Sequence, residues 1–169
     1  MKSDSKFVVI VVDMQDFFLD KFTNDKRNIL IKNQSKVIDF CINQKIPLIF
    51  LEYKDRGATT QLLSQTSGDS PHVEIVTKDS NGGFTNTNLD EILKNKGAKE
   101  VILMGINASG CVQDTAIGAL NRGYKILTSA DVIASATKRD GNLTTSKKWY
   151  SQKGLFFESV DDLVGYIKT

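Results

Sequence analysis

Three polar residues stand where the chain could do chemistry. Asp13 follows the unbroken apolar run Phe7-Val8-Val9-Ile10-Val11-Val12, Lys78 closes the run Val73 to Thr77, and Cys111 follows Gly105-Ile106-Asn107-Ala108-Ser109-Gly110. A carboxylate at the rim of an apolar core loses solvation, which raises its pKa and makes it a usable base. The same aspartate could instead cap the following turn. A lysine at a strand end could stabilise an anion, or simply be solvated. A turn of small residues would deliver Cys111 to the first turn of a helix, where unpaired N–H groups and the positive dipole end favour thiolate over thiol. Those N–H groups could also hold an oxyanion during attack on a carbonyl. The competing reading of Cys111 is a small core residue. Cys41 shares its helical spacing with Leu30, Ile31, Val37, Ile38 and Ile42, and reads as packing.

These residues need a scaffold that brings chain-distant strand ends together. Apolar β-branched runs alternate with amphipathic segments along the whole sequence. Strands are predicted at Phe7 to Val12, Pro47 to Leu51, Val73 to Thr77, Val101 to Gly105, Tyr124 to Thr128 and Leu155 to Phe157. Helices are predicted over Leu30 to Ile42, around Thr59 to Ser64, from Asn88 to a stop at Gly97, from Gly110 to Asn121, over Leu143 to Gln152, and after Ser159, which with Asp162 resembles a capping box. Such alternation implies right-handed crossovers and a parallel sheet covered on both faces, a three-layer α/β/α, Rossmann-like domain. With six strands in the order 3-2-1-4-5-6, strands one and four are neighbours where the order reverses. Asp13 and Cys111 would then face each other across the crevice, with a cation alongside.

Composition narrows the function classes. The 169 residues suit a single domain spanning 1–169, with a core larger than a disordered chain could form. With 22 basic and 20 acidic residues the net charge is +2, and there is no dense basic tract, so nucleic acid is not an expected partner. The Lys147-Lys148 and Lys138-Arg139 pairs read as solvated surface. No run approaches a membrane span, and the start MKSDSK lacks a signal-peptide layout, so a cytoplasmic protein with two free thiols is expected.

Three longer patterns carry a resemblance: VVIVVDMQDFF, TKDSNGGFTNTNLDEIL and VILMGINASGCVQDTAIGALNRGYKILTSADVIAS. In their order and spacing, the chain resembles the isochorismatase-like cysteine hydrolases, which include nicotinamidases and N-carbamoylsarcosine amidohydrolases. The resemblance implies a catalytic triad of Asp13, Lys78 and Cys111. It also implies a non-proline cis peptide between Ile106 and Asn107 that turns the Asn107 N–H beside the Cys111 N–H as an oxyanion hole, and pocket positions at Gln15, Phe18 and Phe84. The activity it implies is amide, ureide or carbamoyl hydrolysis of a small, uncharged or weakly charged substrate through a thioester, with no cofactor. A homo-oligomer is expected on the same basis.

Two departures qualify the resemblance. Ala108 stands where the family often has threonine, and His72 is the chain's single histidine, so the paired-imidazole metal site of nicotinamidases is not expected. His72, beside Pro71, reads as a loop residue. Isochorismatases proper usually lack the cysteine, so Cys111 favours amide chemistry over vinyl-ether cleavage. A thiol esterase and a non-catalytic binder on the same fold compete with that reading. Specificity is expected to come from the stretch Glu52 to His72 and from a partner subunit.

Overall fold

The computed structural model describes residues 5–136 and 143–168. In chain order the elements are β1 (Phe7–Val12), α1 (Asp16–Leu19), α2 (Asn24–Asn43), β2 (Leu48–Tyr53), α3 (Gln61–Ser67), β3 (Val73–Lys78), α4 (Leu89–Asn95), β4 (Glu100–Ile106), α5 (Cys111–Asn121), β5 (Lys125–Ser129), β6 (Ile133–Ala134), α6 (Leu143–Lys153), β7 (Leu155–Phe157) and α7 (Val160–Ile167). The strands form one parallel sheet in the order β3-β2-β1-β4-β5-β7, with β6 paired to β4 off that path. The predicted sixth strand is therefore the seventh. Ile133–Ala134 is too short to carry a periodic signal, and it joins β4 at Gly105 and Ile106, after β4 has parted from β5 at Ile102.

Val8 to Val12 of β1 are buried without alternation, so both faces of the central sheet are covered. The helical faces seen in the sequence behave as expected: Leu30, Ile31, Val37, Ile38 and Cys41 are buried on α2, and Val160, Leu163 and Ile167 on α7. Helix α2 starts earlier than predicted, at Asn24, because the Thr23 side chain accepts the Lys26 N–H and caps it. Helix α7 has its expected cap, with Ser159 Oγ accepting from Asp162 N–H. The predicted α3 lies two to three residues further along, and α1 is a four-residue turn that sequence periodicity cannot register. Among the described residues no helix is long and apolar enough to cross a membrane. The Lys138-Arg139 pair lies outside the described residues.

Strands β1 and β4 are held in register from Phe7 opposite Glu100 to Val12 opposite Gly105. At that last pair the two backbones come unusually close. Gly105 has φ +129, and a Cβ there would lie 2.1 Å from the Val12 carbonyl oxygen. Only glycine fits, and the contact sits one residue before Asp13 and immediately before the Ile106–Asn107 peptide. Gly105→Ala is expected to lower folding stability by roughly 3 kcal/mol or more, through backbone strain and overpacking together. A urea melt reads this directly, and an unchanged midpoint would be incompatible with the close approach.

Candidate active site

Asp13, Lys78 and Cys111 meet beyond the carboxyl ends of β1, β3 and β4. Asp13 is the first residue after β1 and adopts φ +55, a left-handed conformation that costs a non-glycine residue energy and turns its side chain away from the strand's alternation. Its backbone N–H still donates to Leu51 O at 3.0 Å. Lys78, in register with Tyr53 across β3 and β2, starts two strands away from Asp13. Strand spacing makes that roughly 10 Å, so a long side chain is needed to cross β2. It crosses beneath the Tyr53 ring, with Nζ 4.4 Å from the ring centroid. The ammonium then donates to Asp13 Oδ2 at 3.1 Å, Ser80 O at 3.0 Å and Asn81 O at 3.2 Å. Both side chains of this ion pair are essentially out of solvent, at 0% and 3% exposure.

Cys111 is the first residue of α5 and is half-buried. Its thiol donates weakly to Asn81 Oδ1 at 3.8 Å and feels both the Asp13 carboxylate and the Lys78 ammonium. Asp13 Oδ1 is buried without a hydrogen-bond partner among the described residues. The start of α5 has no side-chain cap, and neither the Asn107 nor the Cys111 backbone N–H donates to another described group. The Ile106–Asn107 peptide is cis.

The turn carrying these donors is fastened from several sides. Ala108 N–H donates to Ala134 O, Tyr150 Oη donates to Ala108 O at 2.6 Å, and Asn107 Oδ1 accepts from Ala136 N–H at 3.0 Å. Ala108 is itself fully buried.

Burial raises the Asp13 carboxyl above the usual range, with the nearby Lys78 charge pulling the other way. Burial, and after it the Asp13 carboxylate, push the Cys111 thiol up to about 12 against the opposing pull of Lys78. This runs against the expectation of a lowered thiol pKa: lost hydration and an adjacent negative charge push the thiol upward. Cys41 is pushed up to about 12 by burial alone, within the core.

A cleft of about 380 Å³ opens over Cys111 and Asp13. That is within the range of small-molecule sites. Phe17, Phe18 and Tyr53 give it an aromatic wall, while Lys21 and Arg56 also line it. Of the three expected pocket residues, Phe18 lines the cleft and two do not. Gln15 is fully buried and spends its amide on the backbone, accepting from Tyr53 N–H at 2.8 Å and donating to Tyr53 O at 3.0 Å and Gly57 O at 2.7 Å. Phe84 stacks on Tyr124 and lies under the Arg122 guanidinium, beside Gly118. That region of α5 is roughly 10 Å or more along the helix from Cys111.

Tyr53, Asn81, Tyr150 and Arg56 escaped the sequence reading. Tyr53 was findable: extending the second strand by two residues, through Glu52, makes it a strand-end residue like Lys78. The donors needed for a paired-imidazole metal site do not fit here. His72 sits in the turn before β3, at the opposite end of that strand from Lys78, and Glu52 Oε2 already accepts from Thr59 N–H and Oγ1. Among the described residues no three His, Cys, Asp or Glu side chains group as a metal site.

Residues 7–147 match the isochorismatase domain. The chain belongs to the isochorismatase family. Isochorismatase domain-containing protein 2 of Danio rerio is 29% identical over 163 residues, covering 93% of this chain and 76% of its own. Among solved structures, the N-carbamoylsarcosine amidase of Thermoplasma acidophilum superposes with a TM-score of 0.79 at 23% identity, covering 93% of this chain and 98% of that one. The nicotinamidase of Staphylococcus aureus does so with 0.78 at 21%, covering 90% and 99%. The fold is thus that of isochorismatase-family hydrolases.

The cause of the raised thiol pKa can be tested. Asp13→Asn removes the carboxylate's upward push and leaves Lys78 in place, so the Cys111 thiol should titrate lower. Alkylation of Cys111 by iodoacetamide at about pH 8 should therefore accelerate several-fold in the variant. A slower reaction would mean that Asp13 serves the thiol as a base, at rest or as the sulfur attacks, and that this loss outweighs the removed charge.

Proposed function

We propose that the protein is a cysteine-dependent amidohydrolase that cleaves a small amide, ureide or carbamoyl compound through a thioester on Cys111. The observation that carries this reading is the buried Lys78–Asp13 pair, set beside a half-buried thiol at the floor of a small-molecule cleft. A buried ion pair is a poor stabilising device compared with apolar packing, so its position beside a nucleophile favours a chemical role.

Asp13 takes the Cys111 proton as the sulfur attacks the substrate carbonyl. Its raised pKa makes it a better base than an exposed carboxylate, and Lys78 holds it in orientation. The carbonyl oxygen gains charge beside the N–H groups of Asn107 and Cys111, which donate to no other described group. Protonated Asp13 then donates to the departing nitrogen, which leaves as ammonia or amine, with an acyl thioester remaining on the sulfur. Water, deprotonated by Asp13, attacks that thioester, and the acid leaves as the thiol regains its proton. The open face of Cys111 toward the cleft gives substrate and water their access.

Cys111→Ala and Cys111→Ser should each lower turnover by about 10³-fold or more while leaving the thermal midpoint close to that of the parent. Ammonia release over a panel of small amides measures the rate, and it separates amide cleavage from ester or vinyl-ether cleavage. A rate within a few fold of the parent in either variant would overturn the assignment.

A further inference from the structure

The cleft's charge is lopsided. Among the described residues its one lining carboxylate, Asp13, is matched by Lys78, whereas Lys21 and Arg56 line it with no acidic partner. The nearby Arg27 differs, being held by both Asp16 and Asp20. Lys21 and Arg56 are both placed over the ring of Phe17, at 5.7 Å and 4.6 Å from its centroid, so the aromatic wall presents two cations together.

Arg56 is not on a loose loop. Gln15 binds the backbone on both sides of it, at Tyr53 and Gly57, and Thr60 N–H donates to Met14 O at 2.7 Å. Glu52, whose charge could otherwise have offset Arg56, is turned onto Thr59. The fold therefore anchors the backbone that carries Arg56 at the cleft, and among the described residues no carboxylate pairs with its guanidinium.

We propose that Lys21 and Arg56 form an anion subsite, and that the substrate is a small amide bearing a carboxylate at the end remote from the scissile C–N bond. Arg56 supplies a planar fork suited to a carboxylate, and Lys21 supplies a second charge. This departs from the uncharged or weakly charged compounds expected from sequence. The identity of the reactive end rests on the amidohydrolase reading, whereas the charge preference does not.

Two arms separate the claims. In the first, Cys111 is alkylated at low ionic strength with anionic iodoacetate and with neutral iodoacetamide, and the rate ratio is compared with that of the urea-unfolded chain. The folded protein should favour iodoacetate by about tenfold over that reference, and the preference should vanish in a Lys21→Gln/Arg56→Gln double variant and on adding salt. A ratio no higher than in the unfolded chain, or one indifferent to the double variant, overturns the subsite. In the second arm, succinamate and the near-isosteric neutral succinamide are compared as substrates, with succinamate expected to have the higher kcat/KM by about tenfold. A charge-sensitive alkylation ratio with no turnover of either amide supports the subsite and counts against the hydrolase reading. Hydrolysis without charge preference, together with a flat alkylation ratio, leaves the hydrolase reading standing and removes the subsite.

Discussion

The buried salt bridge between Lys78 and Asp13 holds the site together. Each partner alone would be a largely buried, uncompensated charge, a situation that typically costs about 3–5 kcal/mol. Together they tie β3 to β1 across the top of β2, and they set the local field that Cys111 feels. The lysine's remaining N–H groups are taken by the Ser80 and Asn81 carbonyls, so the same ammonium shapes the turn that brings the Asn81 side chain to the thiol. One cation thus links three loops that are far apart in sequence.

A second constraint is the contact of β1 with β4 at Val12 and Gly105. Without a side chain at Gly105, the carboxyl ends of these two strands can sit side by side, with Asp13 on one and the turn into α5 on the other. That turn is then fixed by bonds from Ala134, Ala136 and Tyr150, which come from later parts of the chain. Gln15 does the equivalent work for the loop carrying Tyr53 and Arg56. The floor and one wall of the cleft are therefore held by hydrogen bonds from the rest of the fold, the kind of support that preorganised electrostatic catalysis requires.

The layered fold was legible because the apolar runs of β1 and β4 are long and β-branched, and because the helices between them keep a clean periodicity. The meeting of Asp13, Lys78 and Cys111 followed from strand order, since Asp13 and Lys78 stand at strand ends and Cys111 opens the helix that follows β4. What was not legible has local physical causes. The two-residue β6 and four-residue α1 are too short for any pattern. The start of α2 was set by a Thr23 hydroxyl rather than by apolar spacing. The direction of the Cys111 shift depends on how much water is lost and how near Asp13 lies, neither of which can be read from spacing. Gln15 and Phe84 occupy positions expected to face substrate, yet the amide of one finds backbone partners and the ring of the other finds Tyr124 and Arg122.

Membership in the isochorismatase family sets the scaffold, and Lys21 and Arg56 line the cleft above the thiol. Catalysis through a thioester requires that Cys111 carry an acyl group during turnover. Rapid acid quenching of the protein with an amide it hydrolyses, followed by peptide mass analysis, detects that bond. The peptide containing Cys111 should gain the mass of the substrate's acyl group, and the peptide containing Cys41 should gain nothing. Steady turnover with Cys111 unmodified at every quench time, under conditions in which a synthetic thioester at that residue survives the work-up, would rule out the covalent route.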